Sequence, residues 1–161
     1  MVQTTYGFNT PIGQAGGLYD LSPVEIDAFL NEAADGDLKF GMGVVKGTNA
    51  GKSVKLPASG AAAADFEGIV TNRRTTENAI DGGPVLKNKC TVGVLRYGRI
   101  YGLLAEGANP TYGGTPYLVV SGDDAGCFTD ASSGNVAVKG RFLGGASDGI
   151  VAIELFHQAQ A

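Results

Sequence analysis

The sequence predicts an all-β fold: a Gly-rich β-sandwich or small β-barrel preceded by an extended N-terminal arm. Three observations carry that expectation. Glycine makes up 26 of 161 residues and proline only 6, in a chain of ordinary hydrophobic content. That is not the composition of a disordered segment. Short runs of Val, Ile, Leu and aromatic residues recur along the chain, separated by turn chemistry rather than by helical stretches. Finally, Met1 to Tyr19 contains no charged side chain.

The length fits one domain with an arm, and the boundaries are read as an arm over 1–20 and a single β domain over 21–161. The arm spaces Tyr6, Phe8, Ile12, Leu18 and Tyr19 among Thr, Gln, Asn and Gly. A frayed tail is the alternative reading, but disordered tails are usually charged and poor in aromatics. An uncharged arm suits the surface of another protein, because no ion has to be desolvated when it is covered. These five side chains are therefore the candidate partner-binding residues.

Residues 22–35 support two readings. Ser22, Pro23 and Glu25 make a helix start, and Ile26, Phe29, Leu30 and Ala33 share a helical face. The same stretch alternates, with Val24, Ile26, Ala28 and Leu30 against Glu25, Asp27, Phe29 and Asn31. Capping favours the helix; the all-β surroundings favour the strand, which is the reading preferred here.

Strand signals then repeat over Leu38–Lys46, Ser53–Leu56, Phe66–Thr71 and the long Cys90–Leu104. Glycines at 93, 98 and 102 would let that long strand bulge and bend from one sheet to another. Pro116–Val120, Gly126–Thr129, Asn135–Phe142 and Ile150–Phe156 complete the series. The separators are Asn49-Ala50-Gly51, Asp81-Gly82-Gly83, Gly113-Gly114, Gly122-Asp123, Ser133-Gly134 and Asp148-Gly149, all turn formers. Strands at this spacing mean a sandwich or a barrel.

Composition narrows the function. A net charge of −4 argues against nucleic acid, which needs a dense Lys/Arg surface. No apolar run reaches membrane-spanning length, and the N-terminus lacks the pattern of a signal peptide. The expectation is a protein made and used in a cytoplasm, or in something assembled there. Cys90 and Cys127 form no C-x-x-C and, with one histidine in the chain, no ordinary zinc site. They read as reduced thiols in strands, with a disulfide as the alternative.

Candidate chemistry is sparse. Gly47-Thr48-Asn49-Ala50-Gly51-Lys52-Ser53 resembles a phosphate loop, but it has three residues between its glycines instead of four. The residues that follow alternate like a strand, up to Pro57, so no helix aims N–H groups at a phosphate. A hairpin turn is the plainer reading. His157 has no G-x-S-x-G to serve and reads as a surface or interface residue. Asp35, Asp37, Asp123 and Asp124 sit in turns without calcium-loop spacing. No catalytic, cofactor or metal residues are assigned. These features end at a Gly-rich β domain with an uncharged arm for binding protein.

Several blocks read in order do suggest a family. They are Gly17-Leu18-Tyr19-Asp20-Leu21-Ser22, Asn31-Glu32, Lys39-Phe40-Gly41-Met42-Gly43-Val44-Val45, Val54-Lys55-Leu56-Pro57, Phe66-Glu67-Gly68-Ile69-Val70-Thr71, Val94-Leu95-Arg96-Tyr97-Gly98-Arg99-Ile100, and Lys139-Gly140-Arg141-Phe142-Leu143-Gly144. Their order and spacing over residues 15–157 resemble the structural cement proteins of tailed phages. Each block alone is unspecific; the ordered series carries the resemblance. It implies a β-rich body, a multimer (often a trimer), attachment to the major capsid protein on the outside of the head, and no catalysis. Neither membrane nor nucleic acid is an expected partner. The alternatives in view are another virion part, such as a tail, baseplate or head-completion protein, and a carbohydrate-binding β module. The last is weakened by the lack of Trp.

Overall fold

The computed structural model describes residues 13–72 and 83–157. Among these residues ten strands run in chain order: β1 (Glu25–Asn31), β2 (Gly43–Lys46), β3 (Ser53–Lys55), β4 (Phe66–Val70), β5 (Thr91–Leu103), β6 (Tyr117–Leu118), β7 (Phe128–Thr129), β8 (Val136–Ala137), β9 (Gly140–Phe142) and β10 (Ile150–Leu155). The helical component among the described residues is one 3₁₀ turn at Ala63–Asp65. The expected all-β class is what the structure has, and of the two architectures it is the barrel.

Five strands close on themselves. Their order is β1-β3-β2-β4-β5, and β5 pairs back onto β1. Four of the five contacts are antiparallel, while β1 and β3 run parallel, with Leu30 opposite Ser53. Closure removes the exposed edges that an open sheet of this size would present. Each barrel strand sends side chains inward: Phe29 from β1, Val44 from β2, Val54 from β3, Val70 from β4, and Val92 and Val94 from β5. Each is at most 4% exposed.

The outer face of half the barrel is buried too. Val45, Ile69 and Leu95 point away from the lumen and pack with Leu118, Phe128, Phe142, Ile153 and Leu155 in a second core. That is why β4 reads as a continuous buried run rather than an alternating one; a strand covered on both faces carries apolar residues on both. The strand β5 joins the layers. Its first half lies between β1 and β4. Its second half leaves the barrel and pairs with β10, and β9 follows at the edge. The short strands β7-β6-β8 form a separate sheet.

The transition in β5 is a bulge. Glu25 faces Tyr97 while Ile26 faces Leu95, so Arg96 is the extra residue. Glycine supplies the bend two residues on, where Gly98 has φ +117° and packs under Val24. A second bulge in β4 leaves Glu67 unopposed between Gly68 and Phe66. The two bulged residues meet: the buried Glu67 carboxylate lies 3.7 Å from Arg96, whose other partner is Asp27 at 3.2 Å. Burying a carboxylate without such a partner is costly.

Residues 22–35 resolve as the strand reading expects, through β1. Asn31, at its end, is fully buried. Its amide donates to the Lys87 carbonyl and its side-chain oxygen accepts from Ala33 N–H, both at 2.9 Å, which pins the loop before β5. The Asn135–Phe142 signal divides into β8 and β9, and the strands after β5 are shorter than the runs that announced them.

Candidate protein-binding face

The described part of the N-terminal segment is bound to its own chain. Gly16 N–H donates to the Tyr101 carbonyl at 2.7 Å, Tyr101 N–H to Gly17 at 3.0 Å, and Tyr19 N–H to Arg99 at 3.1 Å. Leu18 bridges Ile100 and packs against the second core. Its apolar surface is thus used at home. Tyr19 points the other way, 43% exposed, with its ring tilted over Tyr101 at 5.5 Å. Tyr6, Phe8 and Ile12, the other three candidate residues, lie outside the described residues.

This segment extends the sheet on the side of β5 away from β10. Across the four neighbouring segments the outward side chains form one ion-paired row. Asp20 meets Arg99 at 2.8 Å, Arg99 meets Glu154 at 3.0 Å, and Glu154 meets Arg141 at 2.5 Å. The strand register makes the row: Glu154 is directly opposite Arg99 on one side and Arg141 on the other. The Asp20 pKa is lowered by its hydrogen bonds from Ser22 and then by Arg99. Partial burial would raise Glu154, but the hydrogen bonds and charges of Arg141 and Arg99 outweigh it and hold its pKa down. Arg99 is raised in turn by Asp20 and Glu154.

Aromatic and apolar groups surround the row. Tyr112, 68% exposed, lies under the Arg141 guanidinium at 5.9 Å, a cation–π contact. Leu21, next to Asp20, is fully exposed, and Phe156 is 44% exposed. His157 stacks on Tyr97 with ring centres 4.1 Å apart and lies 3.8 Å from Glu25. An amphipathic, aromatic-rich face of this kind is suited to protein.

The loop that resembles a phosphate loop is a hairpin turn between β2 and β3. Two of its residues, Thr48 and Ser53, already donate to the chain's own carboxylate. Glu32 accepts from Thr48 N–H at 2.9 Å, from the Thr48 hydroxyl at 3.0 Å and from Ser53 Oγ. These bonds, Ser53 first, and the charge of Lys55 depress the Glu32 pKa. Cys90 and Cys127 form no disulfide; they sit immediately before β5 and β7 rather than within strands. Burial, then the charge of Asp124, pushes the Cys127 thiol up to about 11, so it is an inert packing group.

Comparison with known proteins decides the family. The family model described as "Structural cement protein (E217 gp24/Pam3 gp6)" matches residues 2–156. The chain belongs to this structural cement family. Among solved structures, a chain from "The capsid of Myoviridae Phage XM1" shares the fold. Its TM-score is 0.74 at 19% identity, over 96% of each chain. No curated protein matches.

The blocks that carried the resemblance are now intelligible as structure. Asn31-Glu32 pins one loop and fills another, Phe66-Glu67-Gly68 carries a bulge and its ion pair, and Arg99 and Arg141 belong to the row. Sequence reasoning missed the row itself. Part of its signal is present, since Glu154 interrupts the apolar run Val151–Leu155 and Arg99 stands beside Ile100 and Tyr101 in a strand pattern. Only the strand register places them side by side.

Proposed function

We propose that this cement protein binds the major capsid protein on the outer surface of a tailed-phage head and stabilises the expanded shell. The supporting observation is the family match over residues 2–156. Synthesis in the host cytoplasm and addition to assembled heads follow from this reading. The copies act as multimers, with a trimer as the expected form, so that linked footprints add avidity. The role is mechanical and uses no catalytic group.

In the arm, Tyr6, Phe8 and Ile12 are the side chains proposed to engage the shell or a sister subunit. Tyr19 extends that contact from the body. Leu18 serves instead to anchor the arm on β5. Strand addition to an exposed sheet edge is the mode that an uncharged extended segment suits.

A reconstruction of virions carrying an epitope-tagged copy of the chain tests the reading. Density for the tag all over the outside of the head is expected. Label confined to the tail, the baseplate or the portal vertex would overturn it.

A further inference from the structure

The ion-paired row has a property that its members do not have singly. Read across the sheet it runs Asp20, Arg99, Glu154, Arg141, with charges −, +, −, +. The row is neutral, alternating and even in number. A second copy can be turned about a twofold axis lying between the two faces, parallel to the strands and midway between β5 and β10. It then presents the same row in reverse. Asp20 faces Arg141 of the partner subunit, and Arg99 faces Glu154 of the partner subunit. All four facing pairs are of opposite sign.

The apolar groups obey the same operation. Four of the five large hydrophobic residues exposed among the described residues adjoin members of this row: Tyr19 and Leu21 flank Asp20 in the chain, Tyr112 lies at Arg141, and Phe156 is two residues beyond Glu154. Leu21 and Tyr19 lie at the Asp20 end, and Tyr112 lies at the Arg141 end, under its guanidinium. The twofold brings one end over the other, so Tyr112 covers Leu21 of the partner subunit. Along the strands, Phe156 meets the Tyr97–His157 stack, and Tyr101 meets Ala152, its own neighbour in register.

We propose that this face is an isologous interface between two copies of the chain. An isologous contact requires a surface complementary to itself, and an antisymmetric charge row with apolar groups at both ends meets that requirement. A different protein would need a separately matched row. Nucleic acid would find no net positive charge here. Threefold contacts through another surface remain compatible, in which case the pairing joins neighbouring trimers. The inference goes beyond the cement role and is tested without heads, so the two can fail separately.

The test uses the full-length chain in sedimentation velocity, from about 1 to about 100 μM. Wild type should show a concentration-dependent dimer, or a higher species that this contact completes. Arg141→Asp places an acid opposite Asp20, and Asp20→Arg places a base opposite Arg141. Each single variant should weaken association by about tenfold or more, with salt sensitivity reduced. An equimolar mixture of the two variants restores opposite charges in every facing pair and should associate again. The double variant D20R/R141D should do so by itself. Circular dichroism checks each fold. Leu21→Ser alters a fully exposed side chain and must also weaken association, which gives a reading even if a charge variant fails to fold. The proposal is overturned by a wild type that stays monomeric throughout or by single variants that associate like wild type. A mixture no stronger than its components would overturn it as well.

Discussion

Gly68 shows what one residue does for the barrel. It follows the bulged Glu67 with φ +157°, and a Cβ built on it would lie 2.2 Å from the Leu95 carbonyl oxygen. That oxygen belongs to the neighbouring strand and cannot move without opening the β4–β5 pairing. Gly68→Ala should therefore cost about 3 kcal/mol or prevent folding, as expected of overpacking in a buried site. Gly51 has φ +78° but open space around it, so Gly51→Ala should cost about 1 kcal/mol, from backbone conformation alone. Urea unfolding midpoints of the two variants measure the contrast; equal losses would show that the close approach at Gly68 is relieved elsewhere. A turn glycine like Gly51 is legible in a sequence because Asn-Ala-Gly is turn chemistry. Gly68 is not, because the atom it makes room for is 27 residues away along the chain. The same limit applies to Glu32. The loop from Gly47 to Ser53 is readable as a poor phosphate loop, but the carboxylate that fills it comes from Glu32, just after β1.

At the scale of elements, turn residues and β-branched runs located most strands to within a few residues. The conflict in 22–35 was decided by pairing: five residues of β1, Ile26 to Leu30, lie in unbroken register with β5. A local helix cap cannot compete with that ladder and a buried Phe29. Barrel closure was not legible, since it depends on β1 meeting β5 more than 60 residues later, a separation that no local pattern encodes. The arm boundary is also a matter of elements. Residues 13–20 are held to β5 by backbone bonds, by Leu18 and by the Asp20–Arg99 pair. Two truncations should therefore behave differently. Removing residues 1–12 should leave the melting temperature of the isolated chain near that of wild type while weakening binding to expanded heads by about tenfold or more, since each buried aromatic contributes about 1.5–3 kcal/mol. Removing residues 1–20 should also lower the melting temperature, because it uncovers Ile100 and takes away one of the two carboxylate partners of Arg99. A 1–12 deletion that decorates heads like the full chain would leave those residues without the proposed role.

The whole molecule couples these parts to pH and to the shell. Asp20, Glu32 and Glu154 all have pKa values held below the usual carboxylate range of about 4. A depressed carboxylate contributes stability that is present above its unfolded pKa and is lost as pH falls through its folded value. Thermal stability of the isolated chain should thus hold from about pH 7 to about pH 5 and fall below about pH 4. Loss of stability near pH 6 would point to a different group. On the head, the relevant quantity is the difference in affinity between expanded and unexpanded shells. A protein that bound both equally would stabilise neither against the other. One that binds the expanded lattice alone stabilises it by RT ln(1 + [L]/Kd) per site, about 2.7 kcal/mol at a free concentration near 100 Kd. Summed over many sites, such a preference would shift a cooperative shell transition strongly. Undecorated expanded heads titrated with the protein should therefore show a disruption temperature that rises with the logarithm of free concentration once sites fill. Unexpanded heads should bind weakly and gain nothing. Equal binding to both forms, measured by co-sedimentation, would mean that the protein coats the shell without holding it in one state.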